Sequence, residues 1–409
     1  MRWVLGLDLG TSGLRGCVVN GREIIAQAQT AIEGQTPACW EAALDELMQQ
    51  LQPHLAPVGH IVADATSSTV MLWRDHRPVS PVKLYCDTGH VRCAQQLADL
   101  LPPNSGAMGA SSTLCKVLQL KARHVMSDVQ IANQIDWLNA QFLGALPPTD
   151  WNNALKLGFD PVYLRWPQAI RRLIHPLPLP QVVPPGAPLG QVSHRAQRRW
   201  GLASDCVVHA GTTDSIAAFL ATGAHQLGDA VTSLGSTLAI KLLSQRPVFA
   251  YQYGLYSHRL PRGWLVGGAS NAGGKVLLQH FSLAEIQRLT PRLQPDKPTG
   301  LNYYPLPDKG ERFPINDSNL EPTIHPVPED RARFLQGLLE GLVKIESMGY
   351  RRLIELGATA PQRIFCAGGG CDNPVWMQLR RQALPAPLAK SASGDAAYGV
   401  TRLLVDAPA

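Results

Sequence analysis

The chain has 409 residues, of which 45% are hydrophobic and 17% are charged, and its formal net charge is +6. This length exceeds one ordinary hydrophobic core and predicts two lobes of roughly 200 residues each. The composition excludes a largely disordered chain, and no apolar run reaches the roughly 20 residues of a membrane span. Because Asp8 interrupts a short N-terminal apolar segment, we expect no signal peptide and a cytoplasmic protein.

Cysteine and charge patterns argue against two further kinds of site. The eight cysteines are scattered without a CxxC pair, which favours buried free thiols over a zinc site. Basic clusters at 194–199 and 380–381 lack interleaved aromatic residues, as is typical of solvated helix faces. We therefore expect no nucleic-acid or membrane partner, while the choice between monomer and homodimer stays open. The mild positive charge suits anionic ligands.

The first predicted elements are three strands, at Trp3–Leu9, Leu14–Asn20 and Glu23–Thr30. The turn between the first two reads Gly10-Thr11-Ser12-Gly13. Small residues in such a turn let backbone N–H groups approach phosphate oxygens, and the hydroxyls of Thr11 and Ser12 add donors. The opening hairpin therefore predicts a phosphate-binding turn.

Asp8 precedes this turn inside an apolar strand. Asp is depleted in strands and costly when buried without a partner, so a structural role alone explains it poorly. Mg²⁺ prefers a few carboxylates, waters and phosphate oxygens to an all-protein cage. We therefore predict that Asp8 is a Mg²⁺ ligand.

The rest of the first half predicts alternating strands and helices. The strand Gly59–Ala63 ends in a polar run from Asp64 to Thr69, and α/β proteins often place functional loops at such strand ends. Ser67, Ser68 and the later Asp87 are either turn and loop residues or contacts to a substrate. The other predicted elements are strands at Val70–Trp73, Val79–Leu84 and Cys206–Ala210, and helices at Pro37–Gln52, Leu114–His124, Val129–Leu143 and Ser215–Thr222.

Asp214 follows Gly211-Thr212-Thr213 and begins an apolar helical run. Asp is favoured as a helix N-cap, which stabilises a helix by roughly 1 kcal/mol. A carboxylate at this place can also accept a proton from a substrate hydroxyl, and the two roles are compatible. Together with the opening hairpin, this segment predicts phosphoryl transfer.

The opening pattern returns in the second half. Strands at Ala230–Ser233 and Leu238–Leu243 flank a small-residue turn, Leu234-Gly235-Ser236-Thr237. Two similar hairpin units predict an α/β protein with the duplicated actin-like ATPase (ribonuclease H-like) fold, two lobes and a central cleft. We place the lobe boundary near Gly223, which gives an N-terminal lobe at 1–222 and a C-terminal lobe at 223–409.

A third glycine-rich turn follows the predicted strand Arg363–Cys366. Gly369 and Gly370 leave room for a flat ligand against the backbone, and Asn373 can hydrogen-bond a ring edge. Trp376 either packs on that ring or is an ordinary core residue of an amphipathic helix. The remaining predicted elements are a strand at Trp264–Gly268, an irregular stretch at 290–328, a helix at Glu329–Leu356, a helix from Pro374 and a closing Ala-rich helix that ends at Val405.

The order of these motifs resembles that of the FGGY carbohydrate kinases, which are actin-like kinases of sugars and polyols. The matching segments are GLDLGTS, DWL at 136–138, TDWNNA at 149–154, GTTDS, SLGST, CAGGGCDNPVW and GDAAYG. The resemblance implies an N-terminal lobe on the sugar and phosphate side and a C-terminal lobe on the nucleotide side, with ATP and Mg²⁺ required. It implies that Asp214 is the general base for a sugar hydroxyl. It also implies phosphate contacts by Thr11, Ser12, Gly235, Ser236 and Thr237, and adenosine contacts by Gly369, Gly370, Asn373 and Trp376. Apart from the resemblance, we expect Asp8 and Thr11 to be catalytic together with Asp214, and Gly10 to bind phosphate. The residues expected to contact the substrate are Ser67, Ser68, Asp87, Asp214 and Ser215.

The chain departs from the family pattern at two substrate-side segments and in its shorter length. It reads ATSST where xylulokinases usually have a Gly-Gln-Met-His-like run, and CDTGH lacks the arginine common after the family's aspartate. With the stretch Tyr303–Pro322, these features look most like the short ribulose-kinase-like branch of cyanobacteria and plants, and favour conversion of D-ribulose to D-ribulose 5-phosphate. The alternatives are a kinase of D-xylulose or another polyol, or a nucleotide-dependent switch without a small substrate.

Overall fold

The computed structural model describes residues 2–87, 89–102, 104–123 and 128–406. The helix predicted to end at His124 thus has its last residue outside the described ranges. None of the described helices is long and apolar enough to cross a membrane.

The strands in chain order are β1 (Trp3–Leu9), β2 (Gly13–Asn20), β3 (Glu23–Ala31), β4 (Val58–Ala65), β5 (Val70–Arg74), β6 (Arg77–Pro78), β7 (Gln130–Asn133), β8 (Thr149–Asp150), β9 (Val182–Val183), β10 (Pro188–Gln191), β11 (Val207–Thr213), β12 (Asp229–Leu234), β13 (Leu238–Ser244), β14 (His258–Leu260), β15 (Gly263–Ser270), β16 (Arg363–Ala367) and β17 (Leu388–Ala389).

Helices connect and cover these strands. The α-helices are α1 (Pro37–Leu51), α2 (Val91–Ala98), α3 (Thr113–Arg123), α4 (Gln134–Leu143), α5 (Trp151–Leu155), α6 (Gln168–Ile174), α7 (His194–Trp200), α8 (Asp214–Ala221), α9 (Gly274–His280), α10 (Leu283–Leu289), α11 (Arg331–Glu355), α12 (Pro374–Ala383) and α13 (Ala396–Val405). Short 3₁₀ turns occupy Gln52–His54, Tyr251–Tyr253, Thr290–Arg292 and Gly369–Asp372.

The chain divides into two compact units. The first comprises the chain up to Ala221, the segment His258–Pro261 and the chain from Asp395 onward. The second comprises Thr222–Ser257 and Arg262–Gly394. The closing helix α13 therefore belongs to the first unit, although it lies at the other end of the sequence.

The main sheet of the first unit has the strand order β10-β11-β4-β1-β2-β3. The strands β1, β4 and β11 run parallel to one another, while β2 and β3 form an antiparallel meander beside β1. The buried face of α1 packs into the core of this unit through the apolar positions at helical spacing. On α13, Gly399 lies so close to α8 that an added Cβ would come within 1.9 Å of the Ala217 carbonyl oxygen.

The second unit repeats this topology. Its sheet contains β15, β13, β12, β16 and β17 in that order, with β12 parallel to β16 and β16 parallel to β17. In each unit the order is therefore third, second, first, fourth and fifth strand of the repeat, with the first three antiparallel. This repeated order is the duplicated actin-like fold that the two hairpin motifs predicted.

Two element predictions are wrong. The segment predicted as one helix over Val129–Leu143 begins as strand β7, because residues 130–133 pair with β5, and the helix starts only at Gln134. The segment Val79–Leu84 is not a regular strand: only Arg77–Pro78 pairs with β5, and Lys83 makes an isolated bridge to Val70. Beyond Pro78 single bonds take the place of a ladder: the Val79 N–H donates to the Leu72 carbonyl, and the Leu72 N–H donates to the Ser80 hydroxyl, each at 2.9 Å.

Candidate active site

Three parallel strands bring carboxylates together at their carboxyl ends in the first unit. Asp8 on β1 is the strand neighbour of Asp64 on β4, and Asp64 in turn is paired with Thr212 on β11. Asp214 comes directly after β11 and begins α8. The backbone of β11 approaches β4 closely, since a Cβ on Gly211 would lie 1.6 Å from the Ala63 carbonyl oxygen. Sheet order alone therefore gathers residues that are about 200 positions apart in the chain.

Asp64 lies at the centre of this carboxylate group. It is 0% exposed, and among the described residues no N–H or alcohol hydroxyl donates a hydrogen bond to either of its carboxylate oxygens. Burial, followed by the negative charges of Asp8 and Asp214, raises the pKa of Asp64 well above its ordinary value. The charge of Asp395, at the start of α13, acts in the same direction. A carboxylate that is buried beside other carboxylates is costly unless a proton or a cation neutralises its charge.

Asp8 has a compensating cation of its own. Its side chain is almost fully buried, and Oδ2 accepts a 2.7 Å hydrogen bond from Nη1 of Arg15. Arg15 lies opposite Asp8 on the antiparallel strand β2. The ion pair fixes the orientation of the Asp8 carboxylate within the sheet.

The turn after Asp8 presents its hydroxyl residues to solvent. Thr11 and Ser12 are exposed, and the turn is closed by a 3.0 Å bond from the N–H of Gly10 to the Gly13 carbonyl. The Ser12 carbonyl also accepts from the N–H of Ile32 on the adjoining segment. The backbone of the turn is thus held while its two hydroxyl side chains face outward.

Asp214 is only partly buried, and Ser215 beside it is exposed. The Asp214 carboxylate accepts a 2.6 Å hydrogen bond from the N–H of Ser215. A carboxylate in the first turn of α8 also interacts favourably with the positive end of the helix dipole. The structural and chemical roles considered for Asp214 are therefore compatible at this position.

The polar run after β4 forms a tightly bonded turn next to Asp214. Ala65, the last residue of β4, pairs with Thr213, the residue before Asp214. The turn therefore begins directly after this pair. Inside the turn, the hydroxyls of Thr66 and Thr69 are 2.7 Å apart, and the Thr66 N–H donates to Oε1 of Gln134. In contrast, the Oγ atoms of Ser67 and Ser68 are buried without a hydrogen-bond partner in the described ranges.

Asp87 and the TDWNNA segment have structural contacts. Asp87 Oδ2 accepts from the N–H of Leu84 at 2.9 Å and closes a local turn. Asp150 caps α5 through the N–H groups of Asn152 and Asn153, and Nδ2 of Asn152 donates to Oγ1 of Thr212 on β11. This capping segment therefore supports the strand that leads to Asp214.

In the second unit, the turn Leu234–Thr237 packs directly against the N-terminus of α9. The Gly235 carbonyl accepts from the N–H of Gly274 at 2.8 Å, and a Cβ on Gly273 would lie 2.6 Å from Cα of Thr237. Ser236 and Thr237 remain exposed. Close backbone packing thus requires the glycines and leaves the hydroxyl residues accessible.

The glycine-rich turn after β16 lies beside the same segment. Around Gly369 there is open space, whereas a Cβ on Gly370 would lie 2.7 Å from Cβ of Leu234 and 2.8 Å from the Trp376 ring. Asn373 caps α12 by accepting from the N–H groups of Val375 and Trp376. Trp376 is only 3% exposed and belongs to the hydrophobic core, as expected for a core residue of an amphipathic helix. Adenosine contacts by these residues stay predictions.

The expectation that all the cysteines are free thiols is wrong for one pair. Cys366 at the end of β16 and Cys371 form a disulfide across the glycine-rich turn, with their Cα atoms 6.1 Å apart. The strand and the following 3₁₀ turn bring the two side chains together, which spacing in the sequence did not indicate. The other six cysteines are free.

Sequence reasoning missed two charged residues of the first unit. Asp64 was considered only as the start of a polar loop, although an Asp inside an apolar strand is the same signal that singled out Asp8. Lys116 on α3 is 0% exposed and donates from Nζ to the Ser68 carbonyl at 2.9 Å. Its contact with a turn 48 positions away has no signature in the sequence.

Comparison with known proteins identifies the kind of enzyme. Residues 230–402 match the family described as the FGGY family of carbohydrate kinases, C-terminal domain. This segment is therefore similar to the C-terminal domain of these kinases. The protein is accordingly a carbohydrate kinase, as the motif order predicted.

Whole-length relatives agree with this assignment. A xylulose kinase of Lactococcus lactis is 25% identical over 427 aligned residues, which cover 93% of this chain and 82% of the relative. The crystal structure of xylulose kinase from Rhodospirillum rubrum superposes with a TM-score of 0.84 at 22% identity, covering 98% of this chain and 89% of the other. Plasmodium falciparum glycerol kinase with ADP gives a TM-score of 0.83 at 15% identity, covering 100% and 91%. Kinases named for different substrates thus share this fold, which confirms the predicted architecture and leaves the substrate open.

The carboxylates of the first unit fit a Mg²⁺ ion that is also bound by phosphate. Within the described ranges, no group of three or more His, Cys, Asp or Glu side chains could hold a metal by itself. Mg²⁺ usually takes one or two carboxylates and completes its shell with water and substrate phosphates. The oxygens of Asp64, which accept from no described N–H or alcohol hydroxyl and lie next to Asp8, meet that requirement.

Proposed function

We propose that the protein transfers the terminal phosphoryl group of ATP to a hydroxyl of a ketopentose. The observation that carries this proposal is the meeting of Asp8, Asp64 and Asp214 at the ends of three parallel strands, beside a turn with two partnerless serine hydroxyls. Carboxylates and unpaired hydroxyls together suit an acceptor that carries several hydroxyl groups. A nucleotide switch without a small substrate would have no use for unpaired serine hydroxyls at this place.

In this proposal Asp214 accepts the proton of the attacking hydroxyl. Its partial exposure and its position at the start of α8 leave the carboxylate accessible to a substrate hydroxyl. Asp8, held by Arg15, and Asp64 would hold Mg²⁺, which supplies neutralisation of phosphate charge when it is bound. Thr11 and Ser12 would bind phosphate oxygens. The exposed residues Ser236 and Thr237, with the open backbone at Gly369, would bind the nucleotide.

D-Xylulose is the acceptor that we propose first, because the xylulose kinases of Lactococcus lactis, Haemophilus influenzae and Staphylococcus epidermidis are similar to this chain along 92–93% of its length. D-Ribulose is the second candidate. It is favoured by the Thr66–Thr69 turn, which replaces the Gly-Gln-Met-His-like run and buries two serine hydroxyls in its place.

The experiment is a panel assay of ADP release with D-xylulose, D-ribulose, pentitols and glycerol. We expect kcat/KM to be highest for one of the two pentuloses. The variant Asp214→Asn should lower kcat by roughly 10²- to 10⁴-fold while ATP still binds. The matched control is Asp205→Asn, because this exposed carboxylate precedes the opposite end of β11. ATP turnover that no sugar stimulates, or a fully active Asp214→Asn enzyme, would refute the proposal.

A further inference from the structure

The turn Thr66–Thr69 contains a strained residue. Ser68 has a φ of 69°, in the left-handed region that residues with a Cβ rarely adopt. Such a conformation persists only where the surrounding structure holds it, and it is often found at functional sites. The hydroxyls of Ser67 and Ser68, buried without described partners, depend on this backbone conformation for their direction.

Polar contacts hold the turn at each end. The Thr69 carbonyl accepts from the N–H of Gln134 at 2.9 Å, and Oγ1 of Thr69 accepts from the N–H of Tyr85 at 3.1 Å. Thr66 is bound to Gln134 from the other side. The Thr69 N–H, in the peptide unit that follows Ser68, donates to the Thr66 carbonyl at 3.4 Å, a long bond, and none of these contacts binds the carbonyl of that unit.

Lys116 reaches that peptide unit. Its side chain is 0% exposed, and its Nζ donates to the Ser68 carbonyl at 2.9 Å, the one hydrogen bond it makes within the described ranges. Burial lowers the pKa of Lys116 to about 8, and the negative charge of Asp87 opposes this effect. The ammonium group therefore remains mostly protonated at neutral pH. A hydrogen bond from a charged, buried donor is stronger than one between neutral groups.

We infer that Lys116 is a positioning residue of the acceptor site: by holding the Ser68 carbonyl it keeps Ser68 in the left-handed conformation and directs the hydroxyls of Ser67 and Ser68 toward the sugar beside Asp214. This inference rests on the proposed function, because it assigns the two hydroxyls to a polyhydroxylated acceptor. It adds a residue from α3, far from the glycine-rich motifs, to the residues that determine the choice of sugar.

The test begins with Lys116→Met, which keeps the unbranched apolar part of the side chain and removes the terminal ammonium group with its donors. We expect the KM for the sugar to rise about tenfold or more, with the KM for ATP unchanged. The matched control is Lys121→Met. Lys121 is on the same helix and also donates to backbone carbonyls, those of Leu173 and His175, which lie away from the turn. An unchanged sugar KM in Lys116→Met, or an equal rise in Lys121→Met, would overturn the inference.

A double-mutant cycle separates positioning from direct contact with the sugar. Glycine adopts a positive φ without strain, so the loss of Lys116 should cost less than threefold in sugar KM when it is made in the background of Ser68→Gly. An equal cost in both backgrounds would mean that Lys116 binds the sugar itself, and the positioning role would be refuted. Should Lys116→Met fail to fold, Lys116→Gln serves instead, since its amide nitrogen is one bond short of Nζ. We expect the same changes there on a smaller scale, and an unchanged sugar KM would overturn the inference.

These results are distinguishable from failure of the proposed function. If the wild-type enzyme phosphorylates no sugar in the panel, the proposed function fails. If the wild type is active and the Lys116 variants have a normal sugar KM, only the positioning role fails.

Discussion

A buried ion pair in the second unit allows a quantitative prediction. Arg380 on α12 donates from Nε and Nη2 to the two carboxylate oxygens of Glu346 on α11, at 2.9 and 2.8 Å. Both side chains are 0% exposed. Glu346 also accepts a 2.6 Å hydrogen bond from Thr232 on β12, and Thr232 is 2.7 Å from the hydroxyl of Tyr350. The network therefore joins two helices to the strand that enters the Leu234–Thr237 turn.

Replacing Arg380 by Met would leave the Glu346 carboxylate buried with only its hydroxyl donor. Breaking a buried pair from one side costs about 3–5 kcal/mol, because the remaining charge loses its partner without regaining water. We therefore expect Arg380→Met to lower the free energy of unfolding of the second unit by that amount. The neighbouring Arg381 is exposed, and Arg381→Met should change it by less than about 0.5 kcal/mol.

Urea unfolding followed by tryptophan fluorescence measures this difference, since Trp264 and the buried Trp376 both belong to the second unit. The double variant Glu346→Gln with Arg380→Met should recover part of the loss, because it removes the stranded charge as well. The argument is that the ion pair with Arg380 stabilises the buried Glu346 carboxylate. It would be refuted if Arg380→Met lowered the free energy of unfolding by less than about 1 kcal/mol, or if Arg381→Met lowered it equally.

Two further predictions concern buried carboxyl groups of the first unit. Asp64→Asn removes a buried carboxyl group that has no donor among the described residues. The urea midpoint of this variant at pH 8 should therefore be higher than that of the wild type, while its kcat should be lower. A less stable variant with a normal kcat would contradict this prediction. Burial raises the pKa of Asp136 to about 7, so the folded state binds more protons than the unfolded state between about pH 4 and pH 7. The free energy of unfolding should therefore fall as pH rises through this window, by at most about 4 kcal/mol from this group, and Asp136→Asn should flatten the decline. An identical pH slope in urea unfolding of wild type and variant would remove Asp136 as its source.

The strands and their turns were predictable because their signals are local. Apolar runs ended by glycine and small hydroxyl residues gave β1, β2, β12 and β13 to within a residue or two. The repeat of one such hairpin in each half was enough to predict the duplicated fold, although not the order of the strands in each sheet. Where a strand pairs only through distant partners, local signals failed, and β7 was taken as the start of a helix for this reason. The disulfide between Cys366 and Cys371 was missed because its geometry depends on how the turn folds.

The residues of the candidate site also differ in whether the local sequence indicates them. This difference matters for the choice of substrate. Asp8 and Asp214 are detectable because each stands next to a glycine-bearing turn, where the local sequence already restricts what the residue can do. Lys116 acts on the site only because α3 packs beside the Ser68 carbonyl, so its position on that helix carries no motif. Substitution of such a residue can alter the Thr66–Thr69 turn without any change in the glycine-rich segments. Motif order therefore predicts the kind of reaction, whereas we propose that buried contacts such as that of Lys116 influence the choice of sugar, which substitution of Lys116 tests.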